Sequence, residues 1–503
     1  MSGVEGGQQR RPRSGQRQSG QPRSNQPQSS QPQSSQLRRP ARSAVPADFV
    51  QPARRVAYDV IAAVRESDAY ANLLLPTRIQ RAALNTADAA LATELTYGTL
   101  RMQGFYDRVI ALAANRSVDK IDPAILDVLR LGTHQLLGTR VATHAAVNES
   151  VSLAKQVGSQ SATGFCNGVL RTISRTSTLE WTQQVLAGID SVDERLAAEY
   201  SHPSWVVRAF RQALRAEGRE TELEDLLAAD NMAAKVNMVA LPGLATADDL
   251  DLLGQPDEFA PTGFVLDGGD PYHLMSQSEG RVRVQDEGSQ IAALALSRAR
   301  PIVAGERWLD LCAGPGGKAA LLAAEARAGG AVLVANELVP ARAALVRNAL
   351  APLPEPVPVW ELDGTLIGAT HPATFDRILL DAPCTGLGAL RRRPEARWRK
   401  TPRDVADLAG LQSGLIDAAL VALKPGGVLA YVTCSPHTAE TRAIVALAVK
   451  KSAGTVTHLD TAAIVQSFSA ANLDLPGDTG SVQLWPHRHG TDAMFITLLQ
   501  RAE

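Results

Sequence analysis

The sequence has few cysteines and no long apolar run. Its 503 residues include four cysteines that form no CxxC pair: Cys166, Cys312, Cys384 and Cys434. This wide spacing argues against a zinc site and a disulfide framework, and it favours a reducing compartment. No stretch offers the roughly 18 uninterrupted apolar residues of a membrane span, and no apolar segment near the N-terminus indicates secretion. We therefore expect a cytoplasmic protein with no membrane partner and no bound metal.

The charge balance and the length set only broad limits. A net charge of −1 averages over regions of opposite sign, so it does not decide whether nucleic acid is a partner. The length allows two to four domains with ample core. Composition and periodicity divide the chain into four regions, namely 1–47, 48–175, 176–285 and 286–503.

Residues 1–47 are rich in Gln, Ser, Pro, Gly and Arg and have almost no large apolar side chain. Such a segment cannot bury enough surface to offset its ordering entropy, so we expect it to be disordered. Its arginines are balanced only by Glu5. Two interpretations stay open, a loose phosphate-binding arm and a solvated tail without a role.

Residues 48–175 show apolar side chains at helical spacing. Ile125, Val128 and Leu129 recur on one helix face, and Asp122 before Pro123 indicates a helix start. The region predicts an all-helical bundle, in which Cys166 is an inert buried thiol. Four segments carry a resemblance to the NusB family of RNA-binding helical domains: 94–101, 125–137, 144–155 and 164–171.

Residues 176–285 predict a small mixed α/β module. The segment 201–210 has the pattern of a helix start. Short strands are expected within 233–241, 263–269 and 280–290, where Gly, Pro and Asp mark the turns.

From residue 286 onward, apolar strands alternate with helical stretches. The strands are expected within 307–314, 330–338, 358–364, 375–383 and 426–435. This alternation predicts a Rossmann-like α/β domain, a mostly parallel sheet with helices on both faces. Ligands of such folds bind beyond the carboxyl ends of the strands, where this sequence becomes polar or glycine-rich.

The segment "LDLCAGPGGKAALLA" (309–323) predicts a strand, a glycine-rich turn and a helix. A Walker A loop would need glycine in place of Cys312 and Ser or Thr in place of Ala319, and the glycine spacing does not match a dinucleotide-binding turn. The remaining interpretation is the cofactor loop of an S-adenosylmethionine methyltransferase. Its backbone can approach a ligand near a helix N-terminus. The predicted loop consists of Cys312, Ala313, Gly314, Pro315, Gly316, Gly317 and Lys318.

Two acids at the ends of the next strands support a cofactor site. Glu337 is expected where a carboxylate accepts both ribose hydroxyls, and Asp363 where it meets the adenine edge. Each acid alone is more often a turn residue or a helix cap. Together with the glycine loop, in this order, they favour cofactor binding.

Cys384 and Cys434 both follow apolar strands, and residue chemistry alone leaves them nearly tied as the nucleophile. A thiol attacks well only as a thiolate, which a strand edge near helix N-termini and basic groups stabilises. The run after Cys384 is basic and carries a tryptophan, so a polyanion-binding surface is expected. Its predicted RNA-binding residues are Arg391, Arg392, Arg393 and Arg397.

Methyl transfer to C5 of a pyrimidine requires a cysteine nucleophile and a carboxylic acid next to a cofactor site. A thiolate that adds at C6 activates C5, and a carboxylic acid at N3 stabilises the adduct. C5 then takes the methyl group, its proton is removed, and the thiolate leaves. The target base must be splayed or flipped out to be reached.

The segments 284–290, 309–318, 379–398 and 432–441 together resemble the RsmB (Sun, Fmu) family of ribosomal RNA cytosine-C5 methyltransferases. The resemblance implies a NusB-like domain before the methyltransferase domain, with S-adenosylmethionine as cofactor and small-subunit (16S) ribosomal RNA as partner. It also implies that Cys434 is the nucleophile, that Cys384 assists product release, and that Asp381 faces the base and the methyl group. Glu337 departs from the aspartate of many members, and Ala319 from their threonine.

The same motifs leave two alternatives for the function. One is the same chemistry on transfer RNA, and the other is a non-catalytic RNA-binding or ribosome-assembly factor with a vestigial cofactor fold. A decayed site is expected to lose at least one of Cys434, Cys384, Asp381 and Lys318, which are all present. A monomer is the expected oligomeric state.

Overall fold

The computed structural model describes residues 50–67, 69–477 and 479–503. The predicted disordered tail, residues 1–47, lies outside the described residues. The described residues from Val50 onward form one compact unit.

The first part of this unit is a helical bundle, as the periodicity predicted. Asp122 accepts hydrogen bonds from the backbone N–H groups of Ala124 and Ile125, so it caps the helix that Pro123 begins. Ile125 and Leu129 lie in the bundle core, where Cys166 is fully buried. The helices are α1 (Pro52–Glu66), α2 (Ala71–Arg81), α3 (Thr86–Arg101), α4 (Gln103–Ala114), α5 (Pro123–Leu137), α6 (Thr143–Val157) and α7 (Gln160–Ile173).

The region 176–285 begins with helices and ends with a small sheet. Its helices are α8 (Thr178–Leu186), α9 (Val192–Glu199), α10 (Ser204–Arg215) and α11 (Leu223–Ala229). Trp181 and Val185 of α8 pack into the core of the first bundle, so that core continues beyond residue 175. The predicted strands are present in an antiparallel sheet of order β2-β1-β3. Its elements are β1 (Asn237–Ala240), α12 (Ala247–Asp251), β2 (Gly263–Val265), α13 (Pro271–Gln277) and β3 (Val282–Val284).

The last part is an α/β domain with a larger sheet. Its strands are β4 (Arg307–Asp310), β5 (Val332–Asn336), β6 (Val359–Trp360), β7 (Phe375–Asp381), β8 (Leu423–Thr433), β9 (Val456–His458), β10 (Ser481–Gln483) and β11 (Phe495–Arg501). The strand order is β10-β11-β8-β7-β4-β5-β6, and β9 pairs with β11. The strands from β8 to β6 run parallel, whereas β9, β10 and β11 pair antiparallel. The predicted mostly parallel sheet is confirmed.

Helices cover both faces of this sheet. The helices of this domain are α14 (Glu287–Ser297), α15 (Gly317–Ala328), α16 (Pro340–Leu350), α17 (Ile367–Thr370), α18 (Ala396–Arg399), α19 (Pro402–Ala422), α20 (Arg442–Lys451), α21 (Thr461–Phe468) and α22 (Pro486–His489), of which α18 and α22 pack toward the preceding helices α10 and α11. Single 3₁₀ turns lie at Val118–Lys120, Glu220–Glu222, Gly364–Leu366 and Leu387–Ala389.

Side chains of the central strands alternate between two cores, as the two-residue period of a strand requires. Leu379 of β7 lies in one core, whereas Ile378 and Leu380 lie in the other. Helix α19 is long and apolar enough to cross a membrane by length and composition alone. Its Leu415 and Ile416 are buried against the sheet, so α19 packs in the manner of a core helix.

The basic segment after Cys384 joins the helical bundle to the α/β domain. Arg397 is 0% exposed and donates hydrogen bonds to the carbonyl oxygens of Arg101 (2.9 Å), Ser201 (3.2 Å) and Asp230 (2.8 Å). Arg399 likewise donates to the carbonyl oxygens of Val64 and Ala69. These donors satisfy carbonyl groups of elements that lie far apart in the chain, so the segment fixes the bundle against the sheet domain.

The predicted RNA-binding role is therefore wrong for part of the basic run. Arg391 and Arg397 are buried, and a buried guanidinium cannot reach a phosphate in solution. Arg392 is held by the carboxylates of Asp286 (2.7 Å) and Asp492 (3.1 Å). Sequence alone could not show this, because a guanidinium serves backbone carbonyls and carboxylates as well as phosphates.

We expect Arg397→Ala to lower the free energy of unfolding by about 3 kcal/mol, because it leaves several buried carbonyl groups without donors. Urea unfolding followed by circular dichroism measures this loss. Arg393→Ala is the matched control, since Arg393 belongs to the same run but is exposed, and it should change stability by less than about 0.5 kcal/mol. Equal unfolding midpoints for the two variants would contradict the role assigned to Arg397.

Candidate active site at the carboxyl edge of the sheet

The glycine-rich loop between β4 and α15 is pressed against its neighbours. Gly316 has φ +110°, and a Cβ added there would lie 2.4 Å from the Cβ of Ala349. A Cβ added at Gly314 would lie 2.3 Å from Oε2 of Glu337. Gly316 therefore requires glycine for its conformation and for space, whereas a side chain at Gly314 would displace the carboxylate of Glu337. The loop follows the carboxyl end of β4, where the sequence predicted a cofactor loop.

Glu337 is fixed beside this loop. Its carboxylate accepts hydrogen bonds from the backbone N–H groups of Gly314 (3.1 Å) and Val339 (3.0 Å), and Arg342 lies 3.3 Å from it. The structure thus brings together the loop and the first of the two predicted cofactor acids.

Asp363 lies beyond the end of β6, at the same edge of the sheet. It is exposed, and its Oδ1 accepts hydrogen bonds from the hydroxyl and the backbone N–H of Thr365. These two donors lower the pKa of Asp363. The residue therefore caps a 3₁₀ turn, which is the ordinary structural role that the sequence also allowed.

Sequence reasoning missed Asn336, which ties the cofactor side of this edge together. Its buried amide donates to the carbonyl oxygens of Leu311 (3.1 Å) and Leu362 (3.0 Å), and its Oδ1 accepts from the N–H of Leu362 (3.0 Å). The segments after β4 and β6 are therefore held at fixed distance from the end of β5. An asparagine just before Glu337 was the only sequence signal.

Asp310, the last residue of β4, was also missed. Its side chain is fully buried. Burial and then the negative charge of Asp381 raise the pKa of Asp310 to about 8, against the opposing charge of Lys318. Its carboxyl group is therefore mostly protonated at neutral pH and can act as a hydrogen-bond donor.

The two cysteines that follow β7 and β8 meet at this edge. Their Sγ atoms lie 3.4 Å apart, within hydrogen-bonding distance for sulfur. The parallel register brings them together, because Asp381 at the end of β7 pairs with Val432 near the end of β8. Neither of the other two thiols favours the thiolate form, because burial raises the pKa of Cys166 to about 12 and also raises that of Cys312.

The two neighbouring thiols have opposite electrostatic environments. The hydrogen bond from Cys384 lowers the pKa of Cys434, and the positive charges of Lys318 and Arg393 act in the same direction. The same hydrogen bond, burial and the charge of Glu440 raise the pKa of Cys384. The arrangement therefore favours a Cys434 thiolate that accepts a hydrogen bond from a Cys384 thiol.

Lys318 and Asp381 form an ion pair in this site. Lys318 Nζ lies 2.9 Å from Asp381 Oδ2, and the side chains are 12% and 27% exposed. Burial lowers the pKa of Lys318, but the charge of Asp381 and their hydrogen bond outweigh burial, so the net shift is upward. Lys318 thus stays charged, and it reaches from the first turn of α15 to the carboxyl end of β7.

A further residue that sequence reasoning missed is Glu440. It is fully buried and accepts hydrogen bonds from the N–H of Thr385 (2.8 Å) and the hydroxyl of Ser435 (2.6 Å). Thr385 directly follows Cys384, and Ser435 directly follows Cys434.

Among the described residues, no group of three or more His, Cys, Asp or Glu side chains is arranged to hold a metal ion.

Arg393 is the member of the basic run that stays at the surface of the site. It is exposed, its guanidinium carbon lies 5.7 Å from the centre of the Tyr70 ring, and its charge lowers the pKa of Cys434. Tyr70 and Trp398 are 43% and 39% exposed. A cation that acts on Cys434 and lies over an exposed aromatic ring matches the groups on which phosphates and unstacked bases bind.

Two family profiles match the sequence. The family described as 16S rRNA methyltransferase RsmB/F matches residues 300–500, and the NusB family matches residues 51–175. These matches confirm both resemblances that the motifs indicated, in the predicted order along the chain.

Individual relatives agree with the profiles. A Mycobacterium tuberculosis protein named as a methyltransferase is 46% identical over 455 residues, which are 90% of this chain and 97% of that protein. The ribosomal RNA small subunit methyltransferase B of Salmonella heidelberg is 32% identical over 393 residues, 75% of this chain and 85% of the relative. The crystal structure of PH0851 superposes with a TM-score of 0.72 at 20% identity, over 91% of this chain and 99% of that one. At that identity the likeness supports the fold alone.

We expect Lys318→Met to slow alkylation of Cys434 by iodoacetamide several-fold at pH 7, because loss of the positive charge raises the pKa of that thiol. The rate should recover as the pH rises and the thiolate forms. Peptide mapping after timed alkylation over a pH series measures the rate at each cysteine.

The matched control is Lys424→Met. Lys424 pairs with Asp376 at 2.8 Å, a geometry like that of Lys318 and Asp381, but at the opposite end of β7 and β8. Its removal should leave the alkylation profile of Cys434 unchanged. An unchanged profile in Lys318→Met as well would contradict the electrostatic role of Lys318.

Proposed function

The chain belongs to the RsmB/F family of 16S rRNA methyltransferases, and from this premise we propose that it methylates C5 of a cytosine in small-subunit ribosomal RNA through a covalent adduct with Cys434. The observation that carries the proposal is the pair of sulfur atoms 3.4 Å apart beside the Lys318–Asp381 ion pair. The pair combines a stabilised thiolate with a thiol donor, which addition to a pyrimidine ring and later expulsion both require.

The residues at the carboxyl edge fit S-adenosylmethionine as the cofactor. The absence of Cβ atoms lets the glycine loop pack closely against Glu337 and helix α16, and Glu337 is held beside the loop as the proposed ribose acceptor. Among the described residues the buried Oε1 of Gln285 has no hydrogen-bond donor, and it faces Gly317, where an added Cβ would lie 3.8 Å away. An ammonium group of the ligand would satisfy that oxygen. Asp363 is the proposed adenine contact, and the loop residues Cys312 to Lys318 the proposed contacts of the amino-acid end.

The protein groups act on the base in a defined order. The flipped cytosine lies against Asp381, whose carboxylate accepts a hydrogen bond from the N4 amino group next to N3. The Cys434 thiolate forms a bond from Sγ to C6, and the C5=C6 electron pair becomes available at C5. When bound, S-adenosylmethionine supplies the electrophilic methyl group that C5 takes.

Product release reverses the first bond. A base removes the C5 proton, the C5=C6 double bond re-forms, and the bond from C6 to Sγ of Cys434 breaks. The departing sulfur regains its negative charge beside the thiol of Cys384 and the ammonium of Lys318, which stabilise it. Cys384 is thereby proposed to assist release rather than attack.

The remaining parts of the chain supply the RNA contacts in this proposal. The NusB-like bundle selects the RNA, and Arg393 with the exposed Tyr70 and Trp398 holds nucleotides next to the target base. We propose that the protein works as a monomer in the cytoplasm, where ribosomal RNA is available.

Replacement of the two cysteines tests the assigned roles. Cys434→Ala should abolish methyl transfer and form no covalent complex with RNA, because the thiol that remains, Cys384, is assigned to release and lies near the negative charge of Glu440, which disfavours a thiolate. Cys384→Ala should accumulate a covalent protein–RNA complex, because expulsion of the sulfur loses its hydrogen-bond donor. Denaturing gels with labelled RNA and cofactor measure both results, and Cys166→Ala, far from the site, should behave as wild type.

Two outcomes would contradict the proposal. Methyl transfer by Cys434→Ala would remove Cys434 as the nucleophile, and free turnover by Cys384→Ala would remove its release role. Bisulfite sequencing of ribosomal and transfer RNA from cells lacking the protein identifies the substrate. Loss of 5-methylcytosine only from transfer RNA would favour the first alternative, and no loss from either would favour the non-catalytic factor.

Arg393→Ala should weaken RNA binding and lower the slope of log K against log salt by about 0.7 to 0.9, the value for one phosphate contact. Filter binding at several salt concentrations measures the slope. Arg327→Ala is the control, because Arg327 lies in the last turn of α15, at the opposite edge of the sheet. Equal slopes for both variants would contradict an RNA contact at Arg393.

A further inference from the structure

The two loops that carry the reactive thiols enclose one buried carboxylate. Glu440 lies at 0% exposure between the segment after Cys384 and the segment after Cys434. Its Oε1 accepts from the N–H of Thr385 (2.8 Å), and its Oε2 accepts from the hydroxyls of Thr385 (2.5 Å) and Ser435 (2.6 Å). Each loop is therefore bound to the same side chain at the residue next to its cysteine.

The carboxylate itself is fixed from two further directions. Gln412 of α19 donates to Oε1 of Glu440 (3.3 Å) and to the carbonyl oxygen of Pro383 (2.8 Å). The hydroxyl of Tyr431 in β8 donates to the backbone carbonyl oxygen of Glu440 (2.8 Å). These bonds anchor Glu440 to a helix and a strand that are both part of the packed domain. A buried side chain with this many partners has one position, and the loops take theirs from it.

We propose that Glu440 is a positioning residue that sets the separation of the Cys384 and Cys434 sulfur atoms by holding the residue after each cysteine. Strand register alone brings the two strand ends together, but the cysteines lie beyond the last paired residues, in loops. Loop atoms vary by more than the few tenths of an ångström that separate a hydrogen bond from a mere contact. A four-donor carboxylate between the loops removes that freedom. The consequence for catalysis rests on the proposed function, whereas the consequence for the sulfur–sulfur distance does not.

The positioning role depends on the shape and the hydrogen bonds of the side chain at 440, and not on its negative charge. A glutamine at 440 can keep its oxygen toward the N–H of Thr385 and its amide group toward the two hydroxyls, which accept as well as donate. An alanine at 440 removes the acceptor that these four donors share. The two loops then keep only direct hydrogen bonds, among them those from the N–H of Gly388 to the carbonyl oxygen of Cys434 and between the hydroxyls of Thr385 and Ser435. Glu440→Gln should therefore preserve the thiol geometry, and Glu440→Ala should lose it.

Disulfide formation measures the separation without RNA or cofactor. Diamide takes the two thiol hydrogens as Cys384 and Cys434 form one S–S bond, and the rate depends on how often the sulfur atoms meet in bonding geometry. We expect Glu440→Ala to form this disulfide about tenfold more slowly than wild type, and Glu440→Gln to stay within about twofold. Timed quenching and peptide mapping measure the rates on the full chain.

Glu287→Ala is the matched control. Glu287 is 5% exposed and accepts hydrogen bonds from the N–H groups of Phe259 and Ala260, so it is another buried carboxylate between segments. It has no hydrogen bond to either thiol loop among those described, and its removal should leave the disulfide rate at the wild-type value. A fall in the control equal to that in Glu440→Ala would overturn the proposal, because the effect would then follow general loosening.

Single-bond variants keep the test decisive if Glu440→Ala fails to fold. Ser435→Ala and Thr385→Val each remove hydroxyl bonds to Glu440 from one loop and should each slow the disulfide by a smaller factor. A wild-type rate in these variants, or in folded Glu440→Ala, would refute the positioning role. If the rates fall as expected but the chain transfers no methyl group to any RNA, the proposed function fails while the positioning role stands.

A kinetic comparison separates positioning from general stability in the working enzyme. Glu440→Ala should lower kcat for methyl transfer about tenfold and leave KM for the cofactor within about twofold, and Glu440→Gln should restore kcat. A loss of kcat in both variants to the same degree would mean that the charge acts directly, and it would contradict the positioning role.

Discussion

The parallel pairing of β7 with β8 is the constraint on which the rest of the site depends. A helical connection separates the two strands along the chain, yet their register pairs Asp381 with Val432. Both strands therefore end at the same edge of the sheet, and each is followed by a cysteine within three residues of its last paired residue. A shift of this register by one residue would turn the apolar side chains of a strand to the wrong core. The packing of Ile378, Leu379 and Leu380 into two cores therefore also fixes where the thiols emerge.

Charges from elements outside the two strands then distinguish the thiols. Lys318 comes from the first turn of α15, Arg393 from the segment after Cys384, and Glu440 from the approach to α20. The hydrogen bond between the thiols lowers the pKa of Cys434 and raises that of Cys384, and the two cations and the carboxylate act in the same directions. The difference follows from the three-dimensional arrangement, because in sequence both cysteines have a strand before them and a polar loop after them. This is the physical reason why residue chemistry alone could not choose between them.

Much of the fold follows from periodicity, whereas the partners of polar side chains do not. The helical bundle, the five predicted strands of the large sheet and the glycine loop are all local patterns, and the structure has each of them at the predicted place. Asn336 and Glu440 carry no local pattern. Asn336 bonds carbonyl groups about 25 residues away, and Glu440 joins the nearby Ser435 to Thr385, which lies 55 residues away in the chain. For the basic run, by contrast, the local pattern predicted a role that part of the run does not have. Its arginines have the composition of a phosphate-binding surface, but Arg397 donates its hydrogen bonds to carbonyl groups of residues 101, 201 and 230, which no local pattern connects with it.

The buried arginines give the basic segment a mechanical role that its surface members could not have. The segment begins a few residues after Cys384, passes the exposed Arg393, and ends at Arg397 and Arg399, which bind carbonyl groups of the helical bundle. One short stretch of chain therefore touches the reactive edge, the solvent and the first domain. An arginine that donates to several rigid carbonyl groups cannot move without breaking several hydrogen bonds together. The helical bundle and the thiol edge are consequently held at a fixed distance, and an RNA that contacts both must match that distance.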